Sequence, residues 1–202
     1  MTSAIDRSSG SGLVARILLT ALIVLGLAAC GTKTEAQLAS DALEAGLQAQ
    51  TAGNLDQAAA DYKECLKHDA TNKFCLYDLG TVAQAQNLSA DAENDYHQSL
   101  AADPSYAPAI YNLAILRTQA GANAEAIALY RQYIAIKPDD AAGHFNLGLL
   151  LNQTGDTTDG ASEIAQALKL NPALSSRLPS PSTGATGSST SDLSPSAKPS
   201  AS

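Results

Sequence analysis

The sequence is poor in the residues that fill a thick β-core. Its 202 residues include no Trp, one Met and only nine aromatics, seven Tyr and two Phe. The apolar fraction of 45% is carried mainly by Ala and Leu. That composition points to helices with thin, small-residue interfaces and excludes a sandwich or barrel lined by bulky side chains. Positive charge is also scarce: 12 Lys and Arg stand against 20 Asp and Glu, a net charge of −8 with no basic run, so no nucleic-acid partner is expected. Three Cys and three His are too scattered for a structural zinc site. The chain contains no HExxH, no phosphate-cradling glycine loop and no nucleophile elbow. No catalytic residue, metal or cofactor is therefore expected, and the chain is not expected to be an enzyme. Carboxylate pairs such as Asp139–Asp140 stand at a helix start, where the dipole favours them. His144, alone in an apolar column, reads as a partly buried structural residue.

Long hydrophobic runs are absent except for one. From Ile17 to Ala29 the chain reads ILLTALIVLGLAA, preceded by a polar segment with Arg7 and Arg16 against Asp6. Thirteen residues are too few to span a bilayer, which takes about 18 or more, but they fit the core of a signal peptide of roughly 7–15 residues. The run closes on Leu27-Ala28-Ala29-Cys30, which resembles a bacterial lipobox. That resemblance implies cleavage before Cys30, lipidation of its thiol and a membrane connection through the lipid. Without residues 1–29 the chain has 10 basic against 19 acidic residues, so its surface is not expected to bind anionic lipid. Thr34 to Gln37 fits a capping box that starts the first helix near Glu35, which leaves a tether of roughly 10–15 Å behind the lipid.

The middle of the chain repeats every 34 residues. Gly53, Asn87, Gly121 and Gly155 are in register, as are Ala58, Ala92 and Ala126; Tyr62, Tyr96 and Tyr130; and Pro104, Pro138 and Pro172. A small-residue column holds Gly46, Gly80, Ala114 and Gly148. No gap is needed over residues 39–174, which divide into 39–72, 73–106, 107–140 and 141–174. Each unit carries two apolar segments of helical period separated by Gly or Asn, and Pro stops the second. A 34-residue unit with Leu-Gly, then a Gly turn, then Ala, Tyr and Pro resembles the tetratricopeptide repeat. The expected fold is all-α, a right-handed superhelical solenoid of four helix-turn-helix repeats. The family's favoured Trp is missing; its column holds Ala42, Leu76, Ile110 and His144. The fourth unit has Gly160 and Ile164 where Ala and Tyr are expected, so its last helix is expected to fray first. Residues 30–38 are the lipidated Cys and short tether. Residues 175–202, rich in Ser, Pro, Thr and Ala, are expected to be a disordered tail.

With Cys30 lipidated, Cys65 and Cys75 are the remaining thiols. They sit near the end of one helix and the start of the next, roughly level across a turn, and outside the cytoplasm an even count favours a disulfide. The alternative is two free thiols packed as small hydrophobes.

In tetratricopeptide proteins the first helix of each repeat lines the concave groove. The frame then places Leu43, Tyr77, Tyr111 and Phe145 in one groove column. Asp78, Asn112 and Asn146 follow in the next, and Ile115 and Leu149 lie one turn on. Asn in successive repeats resembles the asparagine ladders that hold extended peptides. The family's basic carboxylate clamp is not matched, since Leu43, Pro108 and Asn112 occupy its places. The implied partner is a neutral or basic protein or peptide segment; self-association or simple padding is the other use of the same aromatics. The resemblance implies a lipid-anchored adaptor or scaffold on the extracytoplasmic face of the cell membrane, or on the outer membrane of a cell that has one. The rival function is a pilotin- or chaperone-like lipoprotein that escorts a secretion or pilus subunit.

Overall fold

Side-chain caps start four of the eight described α-helices. In the computed structural model, which describes residues 32–179, Thr34 starts helix α1 (Glu35–Thr51). Its hydroxyl accepts from the Gln37 amide, and the Gln37 side chain returns a bond to the Thr34 amide. There follow α2 (Leu55–His68), α3 (Lys73–Ala85), α4 (Ser89–Ala102), α5 (Ala107–Gln119), α6 (Asn123–Ile136), α7 (Ala141–Thr154) and α8 (Thr157–Leu170). Asn72, Asp140 and Asp156 cap α3, α7 and α8 by accepting from backbone amides of the first turn. Within each pair the turn passes through the left-handed region at Gly53 (φ +80°), Asn87 (+61°), Gly121 (+74°) and Gly155 (+96°). Among the described residues Asn87 is the one non-glycine there, which is the tolerance expected of Asn. No strand occurs among the described residues.

Each helix packs antiparallel on the next in chain order, giving four pairs stacked as a right-handed superhelix. In the tetratricopeptide arrangement the first helices of the pairs line the concave side and the second helices the convex side; here, from the second pair on, the first helices are the more deeply buried. The small column permits the tightest contact. A Cβ on Gly46 would come within 2.5 Å of the Tyr62 ring, and one on Gly80 within 2.7 Å of the Tyr96 ring. In the fourth pair a Cβ on Gly148 would meet the Gly160 carbonyl at 2.8 Å, and one on Gly160 the Gly148 carbonyl at 2.9 Å. Gly160 thus lets two backbones approach, and the helix-propensity cost that marked it as a weak point accompanies a packing contact.

The expectation of an unstructured tail from Ser175 is corrected at its start. Pro172–Arg177 form a 3-10 turn, and Leu174 and Leu178 pack into a cluster with Phe145, Ala167, Leu149 and Leu168. This turn covers the apolar face that a fifth repeat would otherwise bury. The signal segment, Cys30 and residues 180–202 lie outside the described residues.

Candidate partner-binding face

The groove column does not stand free in solvent. Tyr77, Tyr111 and Phe145 are 3%, 1% and 1% exposed, Asn112 and Asn146 are 2%, and Ile115 is 1%. Asp78 is also buried, whereas Leu43 and Leu149 are half-buried. The expectation of a row of exposed aromatics and free amides is corrected accordingly: these side chains form the floor of the concave face. The reason is aromatic packing between repeats. The Tyr77 ring lies 5.7 Å from that of Tyr96 and 5.4 Å from that of Tyr106. The Tyr111 ring lies 5.9 Å from Tyr130 and 4.8 Å from Tyr133. At the last repeat Arg177 of the closing turn sits 5.5 Å from the Phe145 ring.

The asparagines are engaged within the protein. Asn112 Nδ2 donates to the hydroxyls of Tyr77 (3.2 Å) and Tyr96 (3.3 Å), and Asn146 Nδ2 donates to that of Tyr111 (2.8 Å). Each amide therefore ties one repeat to the one before it, 35 residues back. Asp78 holds the same place in the second repeat, but the residue 35 before it is Leu43, which has no hydroxyl. The carbonyl oxygen of Asn112 and the hydroxyls of Tyr106 and Tyr130 are buried without a hydrogen-bond partner. Thr118 and Asn146 are close to the Tyr130 hydroxyl but outside bonding geometry. Burial pushes the phenols of Tyr77, Tyr96, Tyr106 and Tyr111 above the ordinary range, so they remain protonated at every physiological pH.

A second polar column, not anticipated from the sequence, supports the seams. The Tyr62 hydroxyl donates to Gln50 Oε1 (2.6 Å) and the Tyr96 hydroxyl to Gln84 Oε1 (2.7 Å). Gln50 and Gln84 are 34 residues apart, so periodicity could have marked them; Thr118 and Asn152 continue the column with shorter side chains. Phe74, Lys73 and Tyr106 were missed because they fall in no repeated column. Phe74 is 43% exposed and stands edge-on to Tyr106 at 5.6 Å. Lys73 Nζ lies 5.1 Å from the Phe74 ring and 5.3 Å from that of Tyr106, held by Asp103 at 2.6 Å. That bond from Lys73 holds the Asp103 carboxyl down at about 2.

The remaining candidates have structural surroundings. Cys65 and Cys75 are fully buried and disulfide-bonded, with α-carbons 6.4 Å apart, joining the end of α2 to the start of α3. His144 is buried, with Nδ1 2.6 Å from Glu163 Oε2 and Nε2 3.0 Å from the Pro138 carbonyl, so it links α7, α8 and the preceding turn. Among the described residues no group of three or more His, Cys, Asp and Glu is placed to hold a metal ion. Nor is any described helix long and apolar enough to cross a membrane.

A right-handed stack of helix pairs with a concave face of aromatics and amides defines a class of protein, the α-solenoid built for holding other chains. Within that class, the family model for the tetratricopeptide repeat matches residues 77–141. A search of curated proteins finds no match. Solved structures with the same fold include MamA from Desulfovibrio magneticus RS-1, at 19% identity and a TM-score of 0.62 over 70% of this chain and 78% of that one. A tetratricopeptide repeat protein from Parabacteroides merdae is similar at 21% identity and a TM-score of 0.62, covering 67% of this chain and 54% of its own. Pseudomonas aeruginosa pilF is similar at 21% identity and a TM-score of 0.61, with 68% and 63% covered. At these identities the likeness is one of fold.

Proposed function

We propose that this protein is a lipid-anchored adaptor of the cell envelope that captures a segment of a partner protein on its concave face. The observation that carries the adaptor reading is the four-pair solenoid, a fold that presents an extended concave surface and is in general a scaffold rather than a catalyst. The partner segment would run over the floor of Tyr77, Tyr111 and Phe145 and touch the half-buried or exposed Leu43, Phe74 and Leu149. Aromatic anchors with apolar neighbours are what such a contact requires. The anchor rests on the charged flank, the short apolar core and Leu27-Ala28-Ala29-Cys30 in the sequence. The Cys65–Cys75 bond supports an oxidising compartment outside the cytoplasm.

Two measurements test this reading. Metabolic labelling with a fatty acid should vanish in Cys30→Ala; labelling that survives sinks the anchor. A photo-crosslinking side chain at position 74 or 149, on first helices, should trap a partner in intact cells. The same group at position 98 or 169, on the outer helices, should not. Adducts formed equally from the outer positions would place the contact elsewhere.

A further inference from the structure

The buried core of the stack falls into two groups that meet at the first seam. The clusters around Tyr77, around Tyr111 and under the closing turn draw their buried residues from Tyr77 onwards and none from the first repeat. The first repeat has clusters of its own, Ala58 and Tyr62 with Val82, and Ala39 with Cys65 and Cys75. Cys75 and Val82 of α3 are thus the buried side chains that carry its core across the seam. The two later seams are each tied by an asparagine donating to a tyrosine hydroxyl 35 residues earlier, and Leu43 offers no hydroxyl in that place. The bonds across the first seam include Gln50 Nε2 to Thr81 Oγ1 (3.0 Å) and, on the surface, Gln86 Nε2 to Asp56 Oδ1 (2.9 Å).

The disulfide lies where later repeats have only packing. Thirty-four residues on, Cys65 becomes Ser99 and then Tyr133, and Cys75 becomes Ala109 and then Gly143. A Cβ on Gly143 would come within 2.6 Å of the Tyr133 ring, so close contact alone joins the chain there. Both cysteines are 0% exposed, and no external thiol reaches their sulfurs while α2 lies on α3. The turn between them is open, with Ala70 and Thr71 exposed. Asn72 caps α3 from within the second repeat's own side of that turn, accepting from the Phe74 and Cys75 amides. Helix α3 therefore keeps its cap when α1 and α2 swing away.

We propose that the first repeat is a redox clamp: α1 and α2 open as one unit about residues 69–72, and the Cys65–Cys75 bond, made and broken only in the open state, holds that unit closed. Opening of one cooperative unit ahead of the rest is what a stack with nearest-neighbour interfaces permits. Reduction takes an external dithiol. Its thiolate attacks one sulfur, the Cys65–Cys75 bond breaks and a mixed disulfide forms, which the second external thiol displaces. Two electrons and two protons pass to the cysteines, and the reagent leaves as its own disulfide. Closure is the same exchange in reverse, with an external disulfide as oxidant. Oxidised, the concave face is four repeats long; reduced, Leu43 leaves it and three repeats remain.

The test uses the full chain, oxidised and after reduction with dithiothreitol, read by native-state hydrogen exchange with mass spectrometry. Alkylation of the mapped peptides reports the state of Cys65 and Cys75. Protection in α1 and α2 should fall roughly a hundredfold on reduction, as loss of a loop of this length implies, while α5, α6 and α7 change by less than about twofold. An equal fall in every helix would show one cooperative body and overturn the clamp. Protection unchanged throughout overturns it as well, since the bond would then hold nothing closed. If the reduced chain aggregates, the oxidised protein decides by its rate of reduction at alkaline pH, where exchange reports opening rates. Thiol release in excess dithiothreitol should level off at a rate about tenfold or more above that of the slowest α5 amides. Release no faster than those amides would mean that only global unfolding exposes the sulfurs, and the clamp falls.

Discussion

The residues that matter most here are polar groups held where solvent is scarce. Asp95 on α4 is the clearest case. It is 9% exposed, and burial together with the charge of Asp91 pushes its carboxyl up to about 6, against a weaker opposing pull from Lys63. Between pH 4 and pH 6 the folded state therefore holds more protons than the unfolded chain, and stability falls as pH rises through that window. Asp95→Asn should flatten that slope and raise stability at pH 7 by about 1 kcal/mol, seen as a higher melting temperature at neutral but not at acid pH. The repeat does not reveal its burial, since Asp61, its counterpart 34 residues earlier, is only partly buried, and two aspartates look alike until a neighbouring helix is placed over one of them. The columns were legible for the opposite reason: Tyr77, Tyr111 and Phe145 recur at 34-residue spacing whatever surrounds them. Their burial was not legible, because that of Tyr77 and Tyr111 depends on Tyr106 and Tyr133, which recur nowhere, and that of Phe145 on Leu174 of the closing turn.

At the scale of helices, the repeat frame marked the turns, side-chain caps start α1, α3, α7 and α8, and the first repeat is fastened by two further contacts. The Cys65–Cys75 bond crosses the α2–α3 turn and closes a short loop, which restricts the unfolded chain by roughly 2–3 kcal/mol. Reductant, or Cys65→Ala with Cys75→Ala, should lower the melting temperature correspondingly; an unchanged melt would show the bond to be energetically idle. The second fastening is His68, near the end of α2. Its Nδ1 lies 2.6 Å from Glu35 Oε2 at the start of α1, and its Nε2 lies 3.3 Å from Glu64 Oε1. The Glu35 bond, and after it the Glu64 bond, raise the histidine above its ordinary value against partial desolvation. A raised folded value means that this contribution is complete below the unfolded pKa of about 6.5 and is lost as pH climbs through the folded one. Protection factors at the start of α1, corrected for the intrinsic rise of exchange with pH, should fall above neutrality, and His68→Gln should remove that fall. Sequence showed His68 in its repeat but not the contact with Glu35, 33 residues away, because no other unit repeats the pair.

At the scale of the whole molecule, the solenoid is closed at one end by a segment that composition had assigned to the tail. Leu174 ends the fourth repeat and Leu178 stands as an isolated leucine in the Ser- and Pro-rich stretch after it, and only the apolar face of α7 and α8 shows what they cover. Ahead of that closure, the two later seams have the same chemistry, an asparagine reaching a tyrosine 35 residues earlier. A gene can therefore lengthen this protein by copying a 34-residue block without inventing a new joint. An in-frame duplication of residues 107–140 should yield a soluble five-repeat chain, because Asn112 of the copy would meet Tyr111 of the original as Asn112 now meets Tyr77, and Tyr111 of the copy would meet Asn146. Melting near the parent's temperature would confirm it, whereas an insoluble product would show the seams to be less interchangeable than their hydrogen bonds. A copy inserted after Leu178 would instead leave the closing turn between repeats, with no seam for the new unit to join. The length of this scaffold is thus adjustable by recombination in fixed steps from within, and fixed at its downstream edge.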